Sequence, residues 1–90
     1  MTDEKTGSIA PDKDTGRPVL VRWTDSGLAV GGWTSVADLP GEVQIVESIG
    51  FWIGENDEVI AIGGTKDEDN ESWLNCQIIW KKSIEEQVWA

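Results

Sequence analysis

Residues 42–63, EVQIVESIGFWIGENDEVIAIG, decide the fold. Val43, Ile45 and Ile49 fall on one side of an extended chain and Val46 on the other, the period-two pattern of a strand. Gly50 interrupts that alternation and predicts a bulge or sharp bend before Phe51-Trp52-Ile53. Glu55-Asn56-Asp57 is a compact turn, and residues 58–63 return as the second strand of a hairpin, so the two strands are antiparallel neighbours.

Working outward, Val19, Val21 and Trp23 alternate with Leu20, Arg22 and Thr24 as a half-buried first strand does, and Asp25-Ser26-Gly27 turns it. Residues 28–40 hold Gly31, Gly32 and Pro40 without a sustained period, which predicts a long excursion with a helical turn at 36–39. Beyond the hairpin, residues 66–71 form a polar loop, and residues 72–80 a strand with Leu74, Cys76, Ile78 and Trp80 opposite Trp73 and Ile79. Ser83 before Ile84-Glu85-Glu86 fits an N-cap and one helical turn, followed by a short last strand at Gln87-Val88-Trp89. This order is that of an all-β, SH3-like five-stranded barrel, with a long loop after the first strand and a short helical turn before the last. A barrel also hides apolar strand edges. An OB-like barrel is second choice, because no helix is long enough to plug one.

Residues 1–17 contain only Ile9 as a large apolar side chain after Met1 and are expected to be a flexible N-terminal arm, with residues 18–90 as the single domain. Ninety residues need a dense core, and six tryptophans supply it. Trp23, Trp52, Trp73 and Trp80 lie in strands where core burial explains them, while Trp33 in its glycine-flanked loop and Trp89 near the end need further explanation. The net charge is −10; residues 1–17 hold four acids and three bases, leaving thirteen acids against four bases in the domain itself. Such a balance opposes direct binding to nucleic acid or anionic lipid and favours a protein partner with a basic surface. No apolar run approaches a membrane span, the polar start is unlike a signal peptide, and the expected location is the cytosol.

The segments 21–26 (VRWTDS), Gly32-Trp33, Asp38-Leu39, 47–53 (ESIGFWI), 59–62 (VIAI) and 79–84 (IWKKSI) occur in one order. Together they resemble a family of small uncharacterised proteins of bacteriophages and prophages. That family has a V-x-W-x-D-S opening, a G-W in the next loop, an S-x-G-aromatic segment and a closing I-P-K-x-x-I. The resemblance covers residues 19–84; Trp80 stands where the family has proline, and the N-terminal arm is additional. It implies a phage-derived protein of the bacterial host cytosol and brings no catalytic residue.

With no histidine and no tyrosine, the chain lacks histidine bases, histidine metal sites and Ser-His-Asp or Cys-His nucleophiles. The remaining carboxylates fall mostly in turns, so no enzyme activity and no cofactor are expected. Cys76 alone excludes an intrachain disulfide or multi-cysteine metal site and reads as a small buried hydrophobe. Asp67, Asp69 and Glu71 alternate like the first ligands of a calcium loop, but Ser72 and Ile78 replace the required glycine and closing acid. An EF-hand is thereby excluded; a solvated acidic loop is the plain account and weak calcium binding the alternative. Gly63-Gly64-Thr65-Lys66 lacks the spaced first glycine of a phosphate loop and reads as a strand end.

The binding face expected from sequence gathers Trp33 and Trp52 beside Asp25, Asp38 and Glu55, aromatic faces among negative charge that suit a cation or basic peptide. On this basis the chain is an interaction protein that engages a basic surface of a host or phage protein, inhibiting a host defence factor by occupying its nucleic-acid site. An oligomerising part of a phage assembly and a small-ligand sequestering protein are the competing functions.

Overall fold

The computed structural model describes residues 7–25, 36–38 and 44–90. Five strands, β1 (Pro18–Asp25), β2 (Gln44–Glu55), β3 (Val59–Lys66), β4 (Trp73–Trp80) and β5 (Ile84–Trp89), form one antiparallel sheet in the order β4-β3-β2-β1-β5. The all-β expectation and the hairpin of β2 with β3 are therefore met. No ladder joins β4 to β5 among the described residues, so the sheet is open along those two edges.

The inner face takes Val19 and Val21 from β1, Trp52 from β2, Ile60 and Ile62 from β3 and Ile79 from β4, all buried, with Trp23, Ile84 and Trp89 packed partly against them. The alternation around Val19, Val21 and Trp23 in β1 thus translates directly into side chains pointing inward. Trp23 donates its indole N–H to Ser48 Oγ at 3.0 Å, which satisfies the polar end of a half-buried ring. Trp89 lies against Trp52 with ring centroids 5.1 Å apart at 60°, and this contact is the explanation its sequence position required.

Several expectations are corrected. Trp80 is 55 % exposed and Cys76 is exposed, because β4 turns Ile79 rather than its even-numbered residues to the core. Register with β1 runs unbroken through Gly50, opposite Val19; the irregularity in β2 lies between Trp52 and Gly54 instead. Gly50 serves close approach, since a Cβ there would meet the Gly63 carbonyl oxygen at 2.9 Å. The turn before β5 is a 3-10 turn over Lys81–Ser83, ending where an N-capped helix was expected to begin. Lys81 N–H is drawn back to Glu58 O at 2.8 Å, and Ile84 is already extended and paired with Trp23. The turn at Val36–Asp38 falls where it was predicted.

Of the expected arm, residues 1–6 lie outside the described residues, and residues 10–17 are bonded along β2, although Ala10 to Lys13 and Arg17 keep exposed side chains. β1 accompanies β2 only as far as Phe51, and the backbone groups beyond it on that side need other partners. Upstream chain supplies them: Trp52 N–H donates to Arg17 O at 2.8 Å, Gly16 N–H to Trp52 O at 2.7 Å, and Ala10 and Glu55 exchange bonds of 3.0 and 3.2 Å. Thr15 Oγ1 adds a bond to Ile53 O at 2.8 Å. Satisfying a sheet edge needs backbone groups, not apolar side chains, which is why composition predicted an arm where the fold uses a strap.

Candidate functional site

The strap brings polar side chains against the paired tryptophans Trp52 and Trp89. Asp12 accepts the Trp52 indole N–H through both carboxylate oxygens at 3.1 Å, and Arg17 places its guanidinium 4.8 Å from the Trp89 ring centre while bonding Asp14 at 2.9 Å. Trp52 is only 4 % exposed. Its ring is a core element under a carboxylate cap, with no face turned to a ligand.

The residues expected to form the binding face separate accordingly. Trp33 lies outside the described residues, and so does its relation to Trp52. Asp38 ends the Val36–Asp38 turn, and Asp25 ends β1 opposite Gln44. Glu55 is at the far end of β2, where its carboxylate holds Lys81 Nζ at 2.8 Å. Each of Trp52 and Glu55 is therefore engaged within the fold.

A different surface stands open. Directly opposite residues of antiparallel strands share a face. Leu20 of β1 lies between Ile49 of β2 and Val88 of β5, and one step along, Arg22 lies between Glu47 and Glu86. Ile49 is 76 % exposed, and Ile45 and Val88 are exposed as well. The outer side of β1, β2 and β5 thus carries an apolar row beside a row of two glutamates flanking one arginine. Next to them Ile45, Arg22, Glu85 and Glu86 line an open hollow, and Thr24 Oγ1 bonds Glu85 Oε2 at 2.9 Å. The signal for this face was present in the alternation of Ile45 and Ile49 with Val46, but periodicity does not say which face of a strand the core will take.

The acidic loop after β3 is organised by Asp67, whose Oδ1 accepts Glu71 N–H at 2.9 Å. That hydrogen bond to the ionised carboxylate lowers the Asp67 pKa below its ordinary 3.8. A depressed carboxylate pKa contributes above the unfolded value and is lost as pH falls through the folded one, so this loop keeps its bond at neutral pH and releases it only below 3.8. In an NMR titration the Asp67 carboxyl carbon and the Glu71 amide shift together with a midpoint below 3.8, and Asp67→Asn removes that step from the Glu71 signal. A midpoint at or above the ordinary value refutes the assignment. Among the described residues no group of three or more acidic or cysteine side chains is placed to hold a metal ion, and no helix is long and apolar enough to cross a membrane.

Compared with known proteins, the chain matches no family model, no curated protein and no solved structure.

Proposed function

We propose that this chain is a phage-derived interaction protein of the bacterial cytosol, which engages a basic surface of a host or phage protein through the outer face of β1, β2 and β5. The carrying observation is the coincidence on that face of exposed Ile45, Ile49 and Val88 with Glu47, Glu85 and Glu86 in a chain of net charge −10. Apolar contact supplies affinity, and the acidic row selects a cationic partner and speeds encounter. Occupation of a nucleic-acid site on a host defence factor is the form of inhibition that such a surface suits. The phage setting rests on the motif order from residues 19 to 84.

The same proposal takes the sheet as the framework of an SH3-like barrel. Supporting it are the antiparallel order β4-β3-β2-β1-β5, the long connection after β1 and the 3-10 turn immediately before β5. In that frame the connection from Asp25 to Gln44, whose sequence includes Trp33 and Asp38, is the competing location for the partner.

Affinity capture from host lysate at low and moderate salt tests both. The expected result is a protein with a basic surface whose recovery falls about tenfold or more with Glu47→Lys/Glu86→Lys, since like charge opposed across an interface costs several kcal/mol. Loss with Trp33→Ala but not with the lysine pair moves the site to the loop. Recovery of no protein at either salt overturns the function.

A further inference from the structure

The two edges of the sheet are unlike. β5 (IEEQVW) carries Glu85 and Glu86, the kind of charge that keeps an edge from pairing with another chain. β4 (WLNCQIIW) carries no charge and no proline, and no strand neighbours its outer edge among the described residues. Apolar side chains stand open along it: Ile78 is 57 % and Trp80 55 % exposed on the side that Cys76 also takes, and Leu74, before Asn75, is 65 % exposed. Only Asn75 within the strand takes a positive φ, 58°, so residues 76–80 are regular extended chain.

The charges flanking β4 are the second observation. Before it comes the acidic run Asp67, Glu68, Asp69 and Glu71, and after it Lys81 and Lys82. A strand acidic at its start and basic at its end is complementary to its own antiparallel copy. Lys81 is already held by Glu55, while Lys82 is exposed.

We propose that two copies of this chain pair β4 with β4 antiparallel about a twofold axis at Gln77, joining their sheets edge to edge. The inference goes beyond the acidic face proposed above, which lies at the other end of the strand order. An axis perpendicular to the sheet keeps the outer faces of both copies on one side. Leu74 then lies opposite the partner's Trp80, and Cys76 opposite the partner's Ile78. Lys82, in the turn just past the strand, comes near the acidic run that ends just before the partner's strand, the partner's Glu71 foremost. The regular segment at residues 76–78 meets itself at the centre, where the ladder needs the best geometry. Two acidic bodies repel at long range, but at physiological ionic strength that field decays over about 8 Å and leaves the local pairs in control.

Sedimentation equilibrium of the full chain at physiological salt, at concentrations up to about 0.1 mM, tests the pairing. The expected result is a reversible species of twice the 9.9 kDa chain mass. Ile78→Lys adds the charge that edges normally carry and raises the dissociation constant about tenfold or more, with unchanged circular dichroism because the residue is exposed. Lys82→Glu and Glu71→Lys each weaken the dimer about threefold or more, and the double variant restores it, as two exposed pairs reversed together require. A strict monomer over this range overturns the proposal, as does a dimer indifferent to Ile78→Lys or charge variants whose effects only add.

Discussion

Replacing Trp52 by alanine is expected to cost about 3–5 kcal/mol, the range for deleting a buried indole, and so to remove much of the about 5–15 kcal/mol that holds a domain of this size folded. Three losses coincide there. The ring is 4 % exposed among Val19, Val21, Ile60, Ile62 and Ile79, it is the surface on which Trp89 rests, and its N–H is the donor that anchors Asp12. Urea denaturation followed by circular dichroism measures the sum. A cycle separates the last part: Asp12→Ala is expected to cost about 1–3 kcal/mol with tryptophan at position 52 and distinctly less in Trp52→Phe, which has no N–H to strand. Asp12 also accepts Asp14 N–H, so the cost in the phenylalanine background does not fall to zero. Equal costs in both backgrounds would show that the carboxylate serves only its own turn.

The second large effect belongs to Gly54→Ala. A Cβ at this position would collide with the Ala10 carbonyl oxygen and come within 2.7 Å of its carbon, backbone that has no flexible end to swing aside. The strap must leave the edge of β2 or drag β2 out of register, and a loss of about 1–3 kcal/mol is expected for such an overpacked contact. Hydrogen exchange resolves where it falls. The amides of Ala10 and Glu55, bonded to each other's carbonyls, lose protection, while those of Ile60 and Ile62 in β3 lose only what the global change dictates. Retained protection at Ala10 would mean that the strap accommodates the methyl group, contrary to the close approach described.

Much of the fold was legible because its signals are local. The hairpin was announced by Glu55-Asn56-Asp57, and the first strand by the Val19, Val21, Trp23 alternation. Three features were not legible, each for a physical reason. In β4 the sequence sets Leu74, Ile78 and Trp80 at alternate positions against Trp73 and Ile79, apolar on both counts, so alternation marks two sides without choosing the buried one. Residues 10–17 are held by backbone bonds and by polar contacts of Asp12 with the Trp52 indole, Thr15 with the Ile53 carbonyl and Arg17 with the Trp89 ring, to all of which hydropathy is blind. Of the expected site, Glu55 was credited with a free charge because its Lys81 partner lies far along the chain, and Trp52 with an accessible ring because its lid is polar. The open face of β1, β2 and β5 needs the β1–β5 pairing to exist, and no local pattern announces that pairing.

That pairing also governs the timing of folding. Val19 is paired with Trp89, and Trp89 is the ring that lies against Trp52, so the first strand waits for a partner about seventy residues downstream before its second edge is covered. During synthesis the ladders among β1, β2, β3 and β4 need no later residue, while the second edge of β1 and the ring cover over Trp52 are completed only when Trp89 has emerged. A topology so dominated by distant partners folds slowly for its size, with its apolar strands exposed meanwhile. The acidity of the chain then has a use during folding itself, since like charge on every nascent copy keeps those waiting strands apart.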